Sequence, residues 1–193
     1  MKDFLEFTFD FFVHVLPGSL VIIAISLLFI PIGVEDGLED ILGKFETTKG
    51  IAFAVFAFVI GLAVNPLGKT ILKKIGFTIW KPKILNNVDM FVSDKFVLIR
   101  EHSSANFKYV EKWNMYCSLS HNLSFACLIL VLVSLIKLIL QDPNQMIWLS
   151  IIIICTILFF IFLKSAVTYS IWAQHDLNAA ISALKLKEKA EDS

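Results

Sequence analysis

The stretch "MIWLSIIIICTILFFIFL", Met146–Leu163, decides the fold. It is 18 residues, aliphatic and aromatic but for Met146, Ser150, Cys155 and Thr156, without one charge. A soluble core helix shows a polar stripe, and a buried strand is far shorter. A window of about 20 apolar residues is what a bilayer-spanning helix needs. We therefore read this stretch as a membrane span and look outward for others.

Three more windows satisfy the same requirement. They are "FFVHVLPGSLVIIAISLLFIPIG" (Phe11–Gly33), "IAFAVFAFVIGLAVNPL" (Ile51–Leu67) and "LSHNLSFACLILVLVSLIKLIL" (Leu119–Leu140). The whole chain agrees: 57% of its residues are hydrophobic and 18 of 193 are Phe, with a mean hydropathy of +0.76. Soluble domains use about 45–50% apolar residues. The fold class is all-α, a four-pass transmembrane helical bundle. The flank "MKDFLEFTFD" is acidic and no small-residue cleavage site follows the first window, so that window reads as a retained helix and not a signal peptide. The three cysteines (Cys117, Cys127, Cys155) lie in or beside spans without C-x-x-C spacing and read as small buried hydrophobes.

Charge sets the orientation. Residues 34–50 carry five acids against two lysines, net negative by three; residues 68–118 carry eight Lys and Arg100 against four acids, net positive by five. Lys and Arg near span ends stay on the cytoplasmic side. Both termini are then cytoplasmic, with the 34–50 loop and the short 141–145 turn on the opposite side. The organisation expected is residues 1–68 for spans one and two, 69–118 for a basic cytoplasmic helical segment, 119–163 for spans three and four, and 164–193 for a cytoplasmic helical tail. Span two should end at Asn65-Pro66. "KTILKKIGFTIWKPK" should follow as a helix along the inner interface, with Lys69, Lys73, Lys74, Trp80, Lys81 and Lys83 at anionic lipid heads. In the tail, Ala173, Leu177, Ala180, Ile181 and Leu184 make an apolar stripe that must pack on something. Its own cytoplasmic helices come first, a second copy or soluble partner next. Arg100, Lys108, Lys112, Leu177, Ile181 and Leu184 are the expected partner or oligomer contacts.

No phosphate-binding loop, nucleophile elbow, zincin helix or dinucleotide fingerprint occurs, and the four His are not at metal-ligand spacing. The reading is therefore a non-enzyme without a cofactor or metal. One polar set falls at a single depth: Asp10 and His14 of span one, Asn65 of span two, and His121 and Asn122 of span three. Polar groups there must find partners, so the set reads first as interhelical hydrogen bonding and second as a responsive cluster. Net positive charge beside a membrane meets lipid or an acidic partner more simply than nucleic acid.

The order "DFFVHVLPG" (Asp10–Gly18), "GLAVNPLGK" (Gly61–Lys69), a basic middle and "SLSHNLSFACLILVL" (Ser118–Leu132) resembles the membrane subunits of Kiwa anti-phage defence systems, the KwaA-like proteins. The similarity of size and span order covers nearly the whole chain. It implies a homo-oligomer, a tetramer, in the bacterial inner membrane. It also implies a sensor of phage attachment or membrane disturbance that holds a soluble KwaB-like effector acting on phage DNA. It carries no catalytic residues. The alternative from the residues alone is an oligomeric, holin-like pore that depolarises the membrane.

Overall fold

The computed structural model describes residues 2–29, 47–82, 91–140 and 142–185, with backbone only for 2–10 and 47–49. The acidic 34–46 segment, Lys83 and the last eight residues lie outside it. Helix α1 spans Lys2–Phe29 and α2 spans Thr47–Ile71. A π turn, Leu72–Gly76, joins α2 to the short α3, Phe77–Trp80. Then come α4 (Val92–His102), α5 (Ser104–Ile139) and α6 (Gln145–Ala183). Four helices are long and apolar enough to cross a membrane, so the chain is a multi-pass helical membrane protein.

The second span does not stop at Asn65-Pro66. Pro66 lies inside α2 and the helix runs on through the π turn to Trp80. Proline removes its own N–H from the ladder and crowds the carbonyl four residues back, yet a transmembrane helix tolerates it where Ser/Thr side chains and neighbouring helices satisfy the freed groups. The Thr70 hydroxyl also donates to the Pro66 carbonyl at 2.8 Å, inside the same turn. The lysines after Pro66 thus ride on a continuation of α2, not on a separate interfacial helix. Termination falls at Lys81, whose left-handed φ of 38° and N–H to the Phe77 carbonyl close the last turn before Pro82. The boundaries drawn from sequence at 68/69 and 118/119 fall within continuous helices.

Helices α5 and α6 have 36 and 39 residues, about 54 and 58 Å at the α-helical rise. The hydrocarbon core is about 30 Å thick. The two are joined by a short turn, so their surplus length projects together at the opposite end. There α4 packs across them. Ile99, Val110, Ala173, Leu177 and Ile181 form its buried core. The fourth span does run unbroken into the tail, and the tail stripe is covered by the chain's own α4 and α5. Leu177 and Ile181, at 2% and 1% exposure, are consequently unavailable as partner contacts. The apolar stripe is satisfied at home. Phe91 and Val92 are exposed at the start of α4. Ser103 occupies the N-cap position of α5, and its side chain makes no capping bond.

Small residues set the other contacts, as expected where lipid tails remove the hydrophobic driving force between helices. A methyl group on Gly18 would overlap the Ala57 carbonyl, and one on Gly61 would overlap the His14 carbonyl, so α1 and α2 touch backbone to backbone. Helix α5 buries Cys117, Ser120, Ser124, Cys127 and Ser134. Two of them bond across to α6: Ser124 Oγ–H to the Phe159 carbonyl and Cys117 S–H to the Ala166 carbonyl, each at 3.4 Å.

Candidate functional site: a polar level within the bundle

Helix α2 places Asn65 against α5, where His121 meets it. His121 Nε2 and Asn65 Oδ1 are 2.9 Å apart. A carboxamide oxygen only accepts, so Nε2 carries the proton and Nδ1 is left as an acceptor in the neutral ring. Nδ1 lies 4.0 Å from Cys117 Sγ, one turn back on α5. One turn beyond Asn65, Gly68 brings α2 onto α5 closely enough that a Cβ there would sit 2.7 Å from the His121 carbonyl oxygen and 3.0 Å from Asn122 Oδ1. Glycine is required here by close approach, not by backbone angle.

Asn122 is fully buried and neither amide atom has a hydrogen-bond partner. His14 reaches the same region from α1, whose backbone crosses α2 at Gly61, one turn from Asn65. Its Nδ1 is buried without a partner, and its ring stands edge-on to Phe58 at 5.7 Å, with Phe58 stacked on Phe11 at 5.5 Å. The structure thus joins Asn65 and His121 directly. It sets Asn122 into the same α2–α5 contact and places His14 on the neighbouring crossing. The Asp10 side chain lies outside the described set.

Chemically this is one hydrogen bond between α2 and α5 where three helices meet, with three buried polar atoms to spare. Among the described residues no group of three or more His, Cys, Asp or Glu is placed to hold a metal ion. Sequence reasoning named the bonded pair but missed Gly61 and Gly68. The signal was present: the two glycines are seven residues apart, two helical turns on one face.

A second polar region sits where α5 and α6 leave the bundle. Lys95 of α4 is buried to 1% exposure and its Nζ donates to Asn178 Oδ1 at 2.8 Å. Trp113 Nε1–H donates to Asp176 Oδ2 at 2.8 Å. Trp113 also stacks on Tyr169 at 6.0 Å and meets Trp172 edge-on at 4.8 Å, and Lys112 Nζ lies 5.7 Å from the Tyr116 ring. Such Trp and Tyr groups mark the membrane–water boundary of a helix. Of the expected contact residues, Arg100, Lys108 and Lys112 are exposed and Leu184 is half-buried. Lys69, Lys73, Lys74 and Lys81 are exposed too, while Trp80 packs partly against the α5–α6 core.

No protein family, curated protein or solved structure matches the chain. The fold and these sites therefore define a class, a multi-pass helical membrane protein with a helical head at one end.

Proposed function

We propose that this chain is a membrane-embedded sensor and scaffold. Its bundle sits in the bacterial inner membrane and its α4–α5–α6 head recruits a soluble cytoplasmic effector. The observation that carries this is the head itself. Two spans continue about 25 Å past the hydrocarbon thickness and bury their own apolar stripe under α4. That leaves a folded outer surface bearing Arg100, Lys108 and Lys112. The excess of basic residues on this side supports a cytoplasmic position. The resemblance to Kiwa membrane subunits supports the finer reading: a homo-oligomer, a tetramer, in anti-phage defence, with a KwaB-like partner acting on phage DNA. On that reading the chain has no catalytic role, and the exposed lysines after Pro66 meet anionic lipid.

A photo-crosslinking residue at Lys112 tests this in cells that carry the neighbouring genes. We expect an adduct with one soluble protein and none from a probe at lipid-facing Ile154. Adducts to lipid or to the chain itself from Lys112 would overturn the reading.

The polar level favours a second reading, a pore-forming effector. His14 and Asn122 place unpartnered polar atoms inside an apolar bundle, as a gated water path would. Liposomes that leak ions when the purified oligomer is present would support that reading, and ion-tight liposomes would remove it.

A further inference from the structure

Helix α4 covers one side of the α5–α6 pair in the head, over Val110, Leu177 and Ile181. Another side of the same pair holds a groove of about 400 Å³, lined by Asn106, Tyr109, Asp176, Ala179, Ala180 and Ala183 and by no residue of α4. That volume lies in the range of small-ligand sites. Asp176 is the one charged residue of the lining, and its side chain is 42% exposed. The Trp113 Nε1–H holds Oδ2 at 2.8 Å, and His175 Nδ1 stands 3.5 Å from Oδ1. A carboxylate has about four acceptor sites, so capacity remains for a ligand. Tyr109 is 63% exposed and offers a ring face of the kind that attracts a cation. At the far end of the groove α6 terminates at Ala183. The last carbonyls of a helix carry its partial negative charge.

Asp176 and Ala183 lie two turns apart on one face of α6, about 10 Å along the axis. The groove therefore has a negative pole at each end and an alanine floor between them. No lysine or arginine lines it. An anion is repelled by Asp176. A metal ion would meet a single carboxylate and leave the alanines bare. A chain with an ammonium at each end matches both poles and the floor. We propose that this groove binds a linear polyamine. One terminal ammonium donates to Asp176, beside the Tyr109 ring and the Asn106 amide oxygen. The methylenes lie on Ala179 and Ala180, and the second ammonium meets the carbonyl end of α6. This rests on neither the scaffold nor the pore reading.

Isothermal titration of the full chain in a neutral detergent tests it. The probes are spermidine, 1,3-diaminopropane (too short to reach both poles), a capped lysine with its single ammonium, and magnesium. The parent chain is expected to bind spermidine about tenfold more tightly than diaminopropane or capped lysine, and magnesium at equal concentration should not displace it. Asp176→Asn keeps an acceptor for Trp113 but removes the charge. It should weaken spermidine about tenfold at an unchanged melting temperature. Ala179→Leu fills the groove with the carboxylate intact and should do the same, and it makes the comparison if the Asn variant does not fold. Equal binding of spermidine and the single-ammonium probe, displacement by magnesium, or full spermidine binding by Asp176→Asn overturns the proposal.

Discussion

His121 and Asn65 are tied by a bond whose loss is felt twice, because the abandoned partner stays buried. Asn65→Ala strands the His121 N–H and should cost about 1–3 kcal/mol. A double-mutant cycle with His121→Leu should return a smaller coupling, about 0.6–2 kcal/mol. Reversible unfolding in mixed micelles measures both. Asn122 behaves oppositely. Its amide is buried without partners, so Asn122→Leu should cost less than Asn65→Ala, since it strands no polar group. Trp113→Phe keeps the ring against Tyr169 and Trp172 but drops the bond to Asp176, a loss of about 1 kcal/mol in the head. The Asn65–His121 pair was legible in the sequence because both are polar groups at one depth of apolar windows. Lys95 was not, because a lysine on an amphipathic helix normally faces water, and its burial depends on partners from other elements such as the Asn178 carbonyl oxygen.

At the scale of elements, the α1–α2 contact depends on bare backbone. Gly18→Ala and Gly61→Ala must push the helices apart, since each methyl meets a carbonyl on a rigid helix. Gly76→Ala meets only flexible side-chain ends of Leu72, Val167 and Leu163 at 3.1–3.3 Å. Thermal unfolding should therefore fall steeply for the first two variants and slightly for the third. The α5–α6 turn has its own signature. The Asn144 N–H, then the Trp148 and Lys137 side chains, hold Asp142 below the ordinary carboxylate range. A group depressed by folding stabilises above its unfolded value, and that contribution disappears as pH falls through its folded value. The turn should keep its stability to mildly acidic pH and lose it only on stronger acidification. Asp142→Asn should flatten this acid limb of the unfolding temperature profile. The apolar windows gave the spans away through length alone. Their ends were harder to read: Pro66 suggests a stop, but a helix tolerates it when its neighbours hold the turn, as Thr70 does.

For the molecule as a whole, hydropathy exposed the bundle and the tail periodicity exposed a stripe needing cover. Which surface covers that stripe depends on where α4 lands, a tertiary fact that no local pattern encodes. Deleting Gln174–Ser193 would remove Leu177 and Ile181 from the buried core of the head and is expected to unfold it, so loss of a partner in that variant would not locate a dock. Charge reversal on the exposed surface avoids this problem. The decisive measurement is the mass of the tagged protein purified in mild detergent from cells carrying its neighbouring genes, alongside the Arg100→Glu/Lys112→Glu variant. The account predicts a parent complex with a stoichiometric soluble protein, and a variant of unchanged melting temperature that has lost it. A parent oligomer with no companion, or a variant that retains the companion in full, would contradict it.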